Sequence, residues 1–117
     1  MEDIANQKLE SLYLRNYKIE DSQLQQIGSI RGLRQLSLLH IACSGYSFVN
    51  QLQNLSQFDC SLASSQQLHN ISIGGQILKS EFHLGKDVRD LGFLEKFPNL
   101  KSLKIAAKNS VDCSFLG

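Results

Sequence analysis

The apolar positions of this chain recur as a short cluster rather than along the face of one long helix. The cluster is Leu-x-x-Leu-x-Leu. It reads Leu9-x-x-Leu12-x-Leu14, Leu33-x-x-Leu36-x-Leu38, Leu55-x-x-Phe58-x-Cys60 and Leu100-x-x-Leu103-x-Ile105. A weaker copy, Phe82-x-Leu84, has only Lys79 or Leu78 at its leading position. The second anchors then stand at 12, 36, 58, 82 and 103, a unit of about 22 residues. Longer stretches repeat as well. Phe48-Val49-x-x-Leu52-x-Asn54-Leu55 returns 45 residues later as Phe93-Leu94-x-x-Phe97-x-Asn99-Leu100. Asp90-Leu91-Gly92-Phe93-Leu94 returns after 22 as Asp112-Cys113-Ser114-Phe115-Leu116.

The end of each cluster alternates apolar and polar, the period of a half-buried strand. Strands are expected near 11–15, 35–39, 57–61, 81–85 and 102–106. Between them, apolar residues three to four apart predict short helices over about 22–31, 47–53 and 90–97. Ser22 with Gln25 fits a capping box, and Asp90 and Asp112 suit N-caps. Pro98 closes the third helix. Residues 61–81, with Ser64-Ser65-Gln66-Gln67 and Gly74-Gly75, read as an extended or irregular segment rather than a helix.

On these clusters the chain resembles the leucine-rich repeat superfamily over nearly its whole length. The resemblance implies an α/β fold: a right-handed solenoid with a short-stranded parallel sheet on the concave face and short helices or loops on the convex face. It implies one domain over 1–117 with about five repeats. The family's usual Asn, three residues after the last strand anchor, is replaced here by Tyr17, Ile41, Ala63, Asp87 and Lys108. The turns must therefore be satisfied in another way. The termini leave three readings open: a fragment of a longer repeat protein, a short final turn that serves as a cap, or end-to-end self-association.

Composition narrows the function. Twelve Lys and Arg against 11 Asp and Glu give a net charge of +1 with no basic stripe, which argues against nucleic acid as partner. No apolar run reaches the roughly 18 to 20 residues of a membrane span, and Met1 to Glu10 lack an apolar signal core. Three cysteines without framework spacing suit a reducing compartment, and the expected location is cytoplasmic.

Tests for chemistry give little. Tyr13, Ser37, Asp59, His83 and Lys104 are expected side by side on the exposed face, preceded by Ser11, Gln35, Gln57, Glu81 and Ser102 and followed by Arg15, Leu39, Ser61, Gly85 and Ala106. Ser37, Asp59 and His83 invite a triad reading. With strands about 4.8 Å apart, however, the acid would stand between the serine and the histidine. Asp59 beside His83 reads instead as an exposed pair. Cys43, Cys60 and Cys113 lack metal-ligand spacing and read as small buried apolar residues, and His40 and His69 as surface residues. No catalytic, cofactor or metal site is expected.

The expected function is a protein-protein interaction module that binds a protein partner through the concave strand face. That face comprises Tyr13, Arg15, Gln35, Ser37, Leu39, Gln57, Asp59, Glu81, His83 and Lys104, with Tyr13 and Arg15 as the anchors. Two alternatives belong to other classes. One is a repeat-type inhibitor or immunity-like protein blocking an enzyme. The other is a sensor or scaffold segment of a larger multidomain protein.

Overall fold

A computed structural model describes residues 9–15, 18–41, 43, 45–88 and 90–107. Five strands form one parallel sheet in sequence order: β1 (Ser11–Arg15), β2 (Gln35–Leu39), β3 (Gln57–Leu62), β4 (Lys79–Leu84) and β5 (Ser102–Ala107). Parallel neighbours need a crossover, and each connection supplies one. The first is a helix, α1 (Asp21–Gly28). The later ones use 3-10 turns: Ser47–Gln51 in the second, Ser65–Leu68 and Gly74–Gln76 in the third, and Gly92–Lys96 in the fourth, so the helices expected over 47–53 and 90–97 are 3-10 turns.

Helix α1 is capped by Glu20 with Gln23, whose side-chain oxygen accepts the Glu20 N–H at 3.0 Å. The box expected at Ser22 and Gln25 is therefore displaced by two residues. The cap must sit in extended backbone just before the first helical residue, and Glu20 is the residue that does. Asp90, expected as an N-cap, stands one residue before the cap position, which Leu91 holds, and accepts the Gly92 N–H at 2.8 Å. Asp112 lies outside the described residues. The segment 61–81, expected to be irregular, carries two of the 3-10 turns.

The inward side chains stack in rows. One row holds Leu12, Leu36, Phe58, Ser80 and Leu103, and the next Leu14, Leu38, Cys60, Phe82 and Ile105. Here the fourth strand departs from the expected alignment by two residues. Its cluster is Ile77-x-x-Ser80-x-Phe82, so Phe82 lies beside Cys60, not beside Phe58. Ile77 is fully buried, as are Leu33 and Leu55 in the equivalent place. A serine at a leucine position hid the copy. Phe82 fills the layer instead, its ring 5.2 Å from Phe93 and 5.5 Å from Phe97.

Side-chain amides join successive units on both sides of the strands. Three residues before a strand, Asn54 donates to the Arg31 carbonyl, Gln76 to those of Leu52 and Leu55, and Asn99 to that of Gly75. After the strands, Gln67 accepts from the amides of Ala63 and Ser64 and donates to the Cys43 carbonyl. Ser61 Oγ accepts the His40 N–H at 2.7 Å. Each of these would otherwise be a poorly satisfied loop group, at a cost of about 1–3 kcal/mol if buried.

Gly74 occupies the place held in other units by Ile30, Leu52 and Phe97, five residues before the strand. A Cβ there would stand 1.6 Å from the Lys96 carbonyl oxygen, whereas at Gly75 it would meet only the Asn99 side chain at 3.9 Å. Gly74→Ala is expected to cost about 2 kcal/mol or more in urea unfolding, and Gly75→Ala to stay within about 0.5 kcal/mol of the parent. Equal stability of the two variants would refute this packing. Among the described residues, Ser80 Oγ is buried without a hydrogen-bond partner. Removing it by Ser80→Ala is expected to raise the melting temperature, by up to about 1 kcal/mol in stability. A lower melting temperature would mean that the hydroxyl is satisfied.

Candidate functional site

The face of the sheet turned away from the core presents three rows, fixed by strand register. The first is Ser11, Gln35, Gln57, Lys79 and Ser102. The second runs Tyr13, Ser37, Asp59, Glu81 and Lys104. The third runs Arg15, Leu39, Ser61, His83 and Ala106. A two-residue displacement keeps the strand phase, so His83 and Glu81 still face outward as expected. Their neighbours change. His83 lies beside Ser61, and the middle row is continued by Glu81. The expected Asp59–His83 pair is not formed, and Lys79 joins the face at the position assigned to Glu81.

Exposure divides the ten residues of the expected surface. Tyr13 is 60% exposed, and Arg15 and Lys104 are also exposed. Gln35, Leu39, Gln57, Glu81 and His83 are half-buried. Ser37 and Asp59, expected to be exposed, retain only 6% and 7% of their surface. Both are short side chains on middle strands, so the longer residues around them close over the floor. Sequence alternation reports which face a residue is on, not how deep its neighbours leave it.

Hydrogen bonds organise this floor. Tyr13 and Ser11 hydroxyls both donate to Gln35 Oε1, at 2.5 and 3.0 Å. Asp59 Oδ1 accepts the Glu81 backbone N–H at 2.9 Å, and its Oδ2 accepts from the Gln57 amide at 3.1 Å. A side chain thus serves as an acceptor for the adjacent strand's backbone. Burial raises the Asp59 carboxyl above its ordinary value, against the lowering effect of these two donors. Glu81 Oε2 lies 2.5 Å from His83 Nε2, and the His83 ring meets His40 edge-to-face at 5.6 Å.

Beyond the third row, where β2 to β5 end, lies a hollow of about 520 Å³. Its walls include His40, Cys43, Ser61, Gln67, His83 and Leu84. His40 has a left-handed backbone, with φ of 58°. Cys43 is half-buried here rather than fully inside, and burial raises its thiol, as it does the fully buried Cys60. Neither is therefore held as the thiolate that nucleophilic attack requires. Cys113 lies outside the described residues. His40 and His69 are exposed, as expected. Among the described residues, no three His, Cys, Asp or Glu side chains are placed to hold a metal ion. Nor is any described helix long and apolar enough to cross a membrane.

The register of β4 could have been found in the sequence. Gln76-Ile77 repeats the amide-then-aliphatic pair of Asn54-Leu55 and Asn99-Leu100, 22 and 23 residues away. Comparison with known proteins adds no anchor: no family model matches the chain, and no curated protein matches it.

The Asp59 carboxyl has a readable signature. The folded chain holds its proton more tightly than the unfolded chain, which releases it near 3.8. Its contribution to stability is therefore complete below that value and is lost as pH rises through the higher folded-state value. Asp59→Asn retains an oxygen for the Glu81 N–H and removes the charge. The difference in melting temperature between variant and parent is expected to grow in the variant's favour from about pH 4 to 7. Parallel pH profiles would show that the carboxyl is not disfavoured by burial.

Proposed function

We propose that the chain is a right-handed leucine-rich repeat solenoid whose open sheet face, its concave side, binds a protein partner. The observation that carries this reading is the face itself. Five parallel strands hold varied polar and aromatic side chains in a fixed register, while the core is complete on the other side. A rigid array loses little side-chain and backbone freedom on binding.

The contact groups divide by depth. Tyr13 and Arg15 on β1 are the anchors, since Tyr and Arg carry a large share of interface energy. Lys79 and Lys104 bring positive charge on the far strands, with Glu81 between them. Gln35, Leu39, Gln57 and His83 supply half-buried contacts. Ser37 and Asp59 act as the floor beneath these residues rather than as contacts. Free thiols at the buried Cys60 and the half-buried Cys43 agree with a reducing compartment.

The test is capture of a partner from source-cell lysate by the parent and by two surface variants. Tyr13→Ala with Arg15→Ala alters only exposed positions of the open face, and Glu95→Lys alters an exposed position of the opposite wall. The first variant is expected to bind at least about fivefold more weakly, a loss of about 1 kcal/mol, with Glu95→Lys unchanged. Loss in Glu95→Lys alone would move recognition to the other wall.

A further inference from the structure

The backbone between units follows one rule four times. The carbonyl of the residue before a strand accepts two amides from the next unit. Glu10 O takes those of Arg34 and Gln35, Arg34 O those of Ser56 and Gln57, Ser56 O those of Leu78 and Lys79, and Leu78 O those of Lys101 and Ser102. The series stops at Lys101. Its carbonyl on one edge of the sheet, and the Glu10 and Ser11 amides on the other, have no such partner among the described residues.

The side chains of the two edges match in the same register. Continuing the series places Leu103 beside Leu12 and Ile105 beside Leu14. Leu103 is 38% exposed although Leu36 and Phe58 of its row are fully buried, and Ile105, Leu12 and Leu14 are half-buried. The exposed charges are also complementary. Lys101 would stand beside Glu10, which already pairs with Arg34 of its own next unit at 3.2 Å. Lys104 would stand beside the ring of Tyr13, the arrangement of a cation–π contact. Ser102 would face Ser11.

We propose that β5 of one copy pairs in parallel with β1 of a second copy, extending the sheet head to tail. The contact joins two different edges, so each copy added presents the same free edge again. This goes beyond recognition by the open face, which it leaves uncovered. It also multiplies that face along one assembly, so that a repetitive partner would be held at several points.

The experiment is sedimentation of the full chain over a concentration series, with Lys101→Glu, Glu10→Lys and Leu103→Glu, each checked for retained secondary structure. The parent is expected to grow in mass past two copies without a plateau. Lys101→Glu sets Glu against Glu10, and Glu10→Lys sets Lys against Lys101, so each alone should associate at least about fivefold more weakly. Mixed together, the two variants present only opposite charges to each other, and association should return. Leu103→Glu should stay monomeric. A parent that remains monomeric throughout, or stops at two copies, overturns the proposal. So does a mixture that stays apart.

Discussion

The structure depends on a single backbone device, the carbonyl before each strand that takes two amides from the following unit. It locks each unit to the last at a spacing of 22 to 24 residues, and everything else follows from that lock. The leucine rows meet because the register is fixed, and the core is built row by row between neighbours. The open face inherits the same register, so its side chains stand in ranks without any demand from the core. Short 3-10 turns suffice on the far wall because the sheet, rather than helix packing, sets the distance between units.

The fourth unit shows how far that lock tolerates substitution. It has Ser80 where its neighbours have a large apolar residue, and Gly74 where they have Ile, Leu or Phe. Phe82 with Phe93 and Phe97 occupies the layer instead, and Gly74 lets the Lys96 backbone come close. Volume is conserved across the layer rather than position by position. On the opposite face the same region has Asp59 bonded to the β4 backbone. The β3–β4 junction therefore adds one buried side chain to the backbone and amide bonds that it shares with other junctions.

Much of this was legible in the sequence because two signals act locally. The leucine cluster marks a strand start, and period-two alternation marks its faces; both were clear for β1, β2, β3 and β5. The fourth strand was misplaced because its alternation survives a shift of two residues while its identifying leucine is gone. The depth of Ser37 and Asp59 was not legible at all, since it arises from neighbours 22 or so residues away on both sides. The helix cap at Glu20 was missed for a related reason: Ser22 and Gln25 have the right chemistry, but the chain turns helical one residue after Glu20. The amide joints were present as Asn54, Gln76 and Asn99, yet their acceptors are backbone carbonyls, which leave no mark in a sequence.

Those joints also have a direction. In the bonds just before the strands, the amide donors belong to the later unit and the carbonyl acceptors to the earlier one, from Arg34 reaching Glu10 to Asn99 reaching Gly75. A chain leaving the ribosome exposes its acceptors first. Through these bonds each unit can settle on its predecessor as it emerges. In these bonds the order of translation and the order from acceptor to donor run the same way.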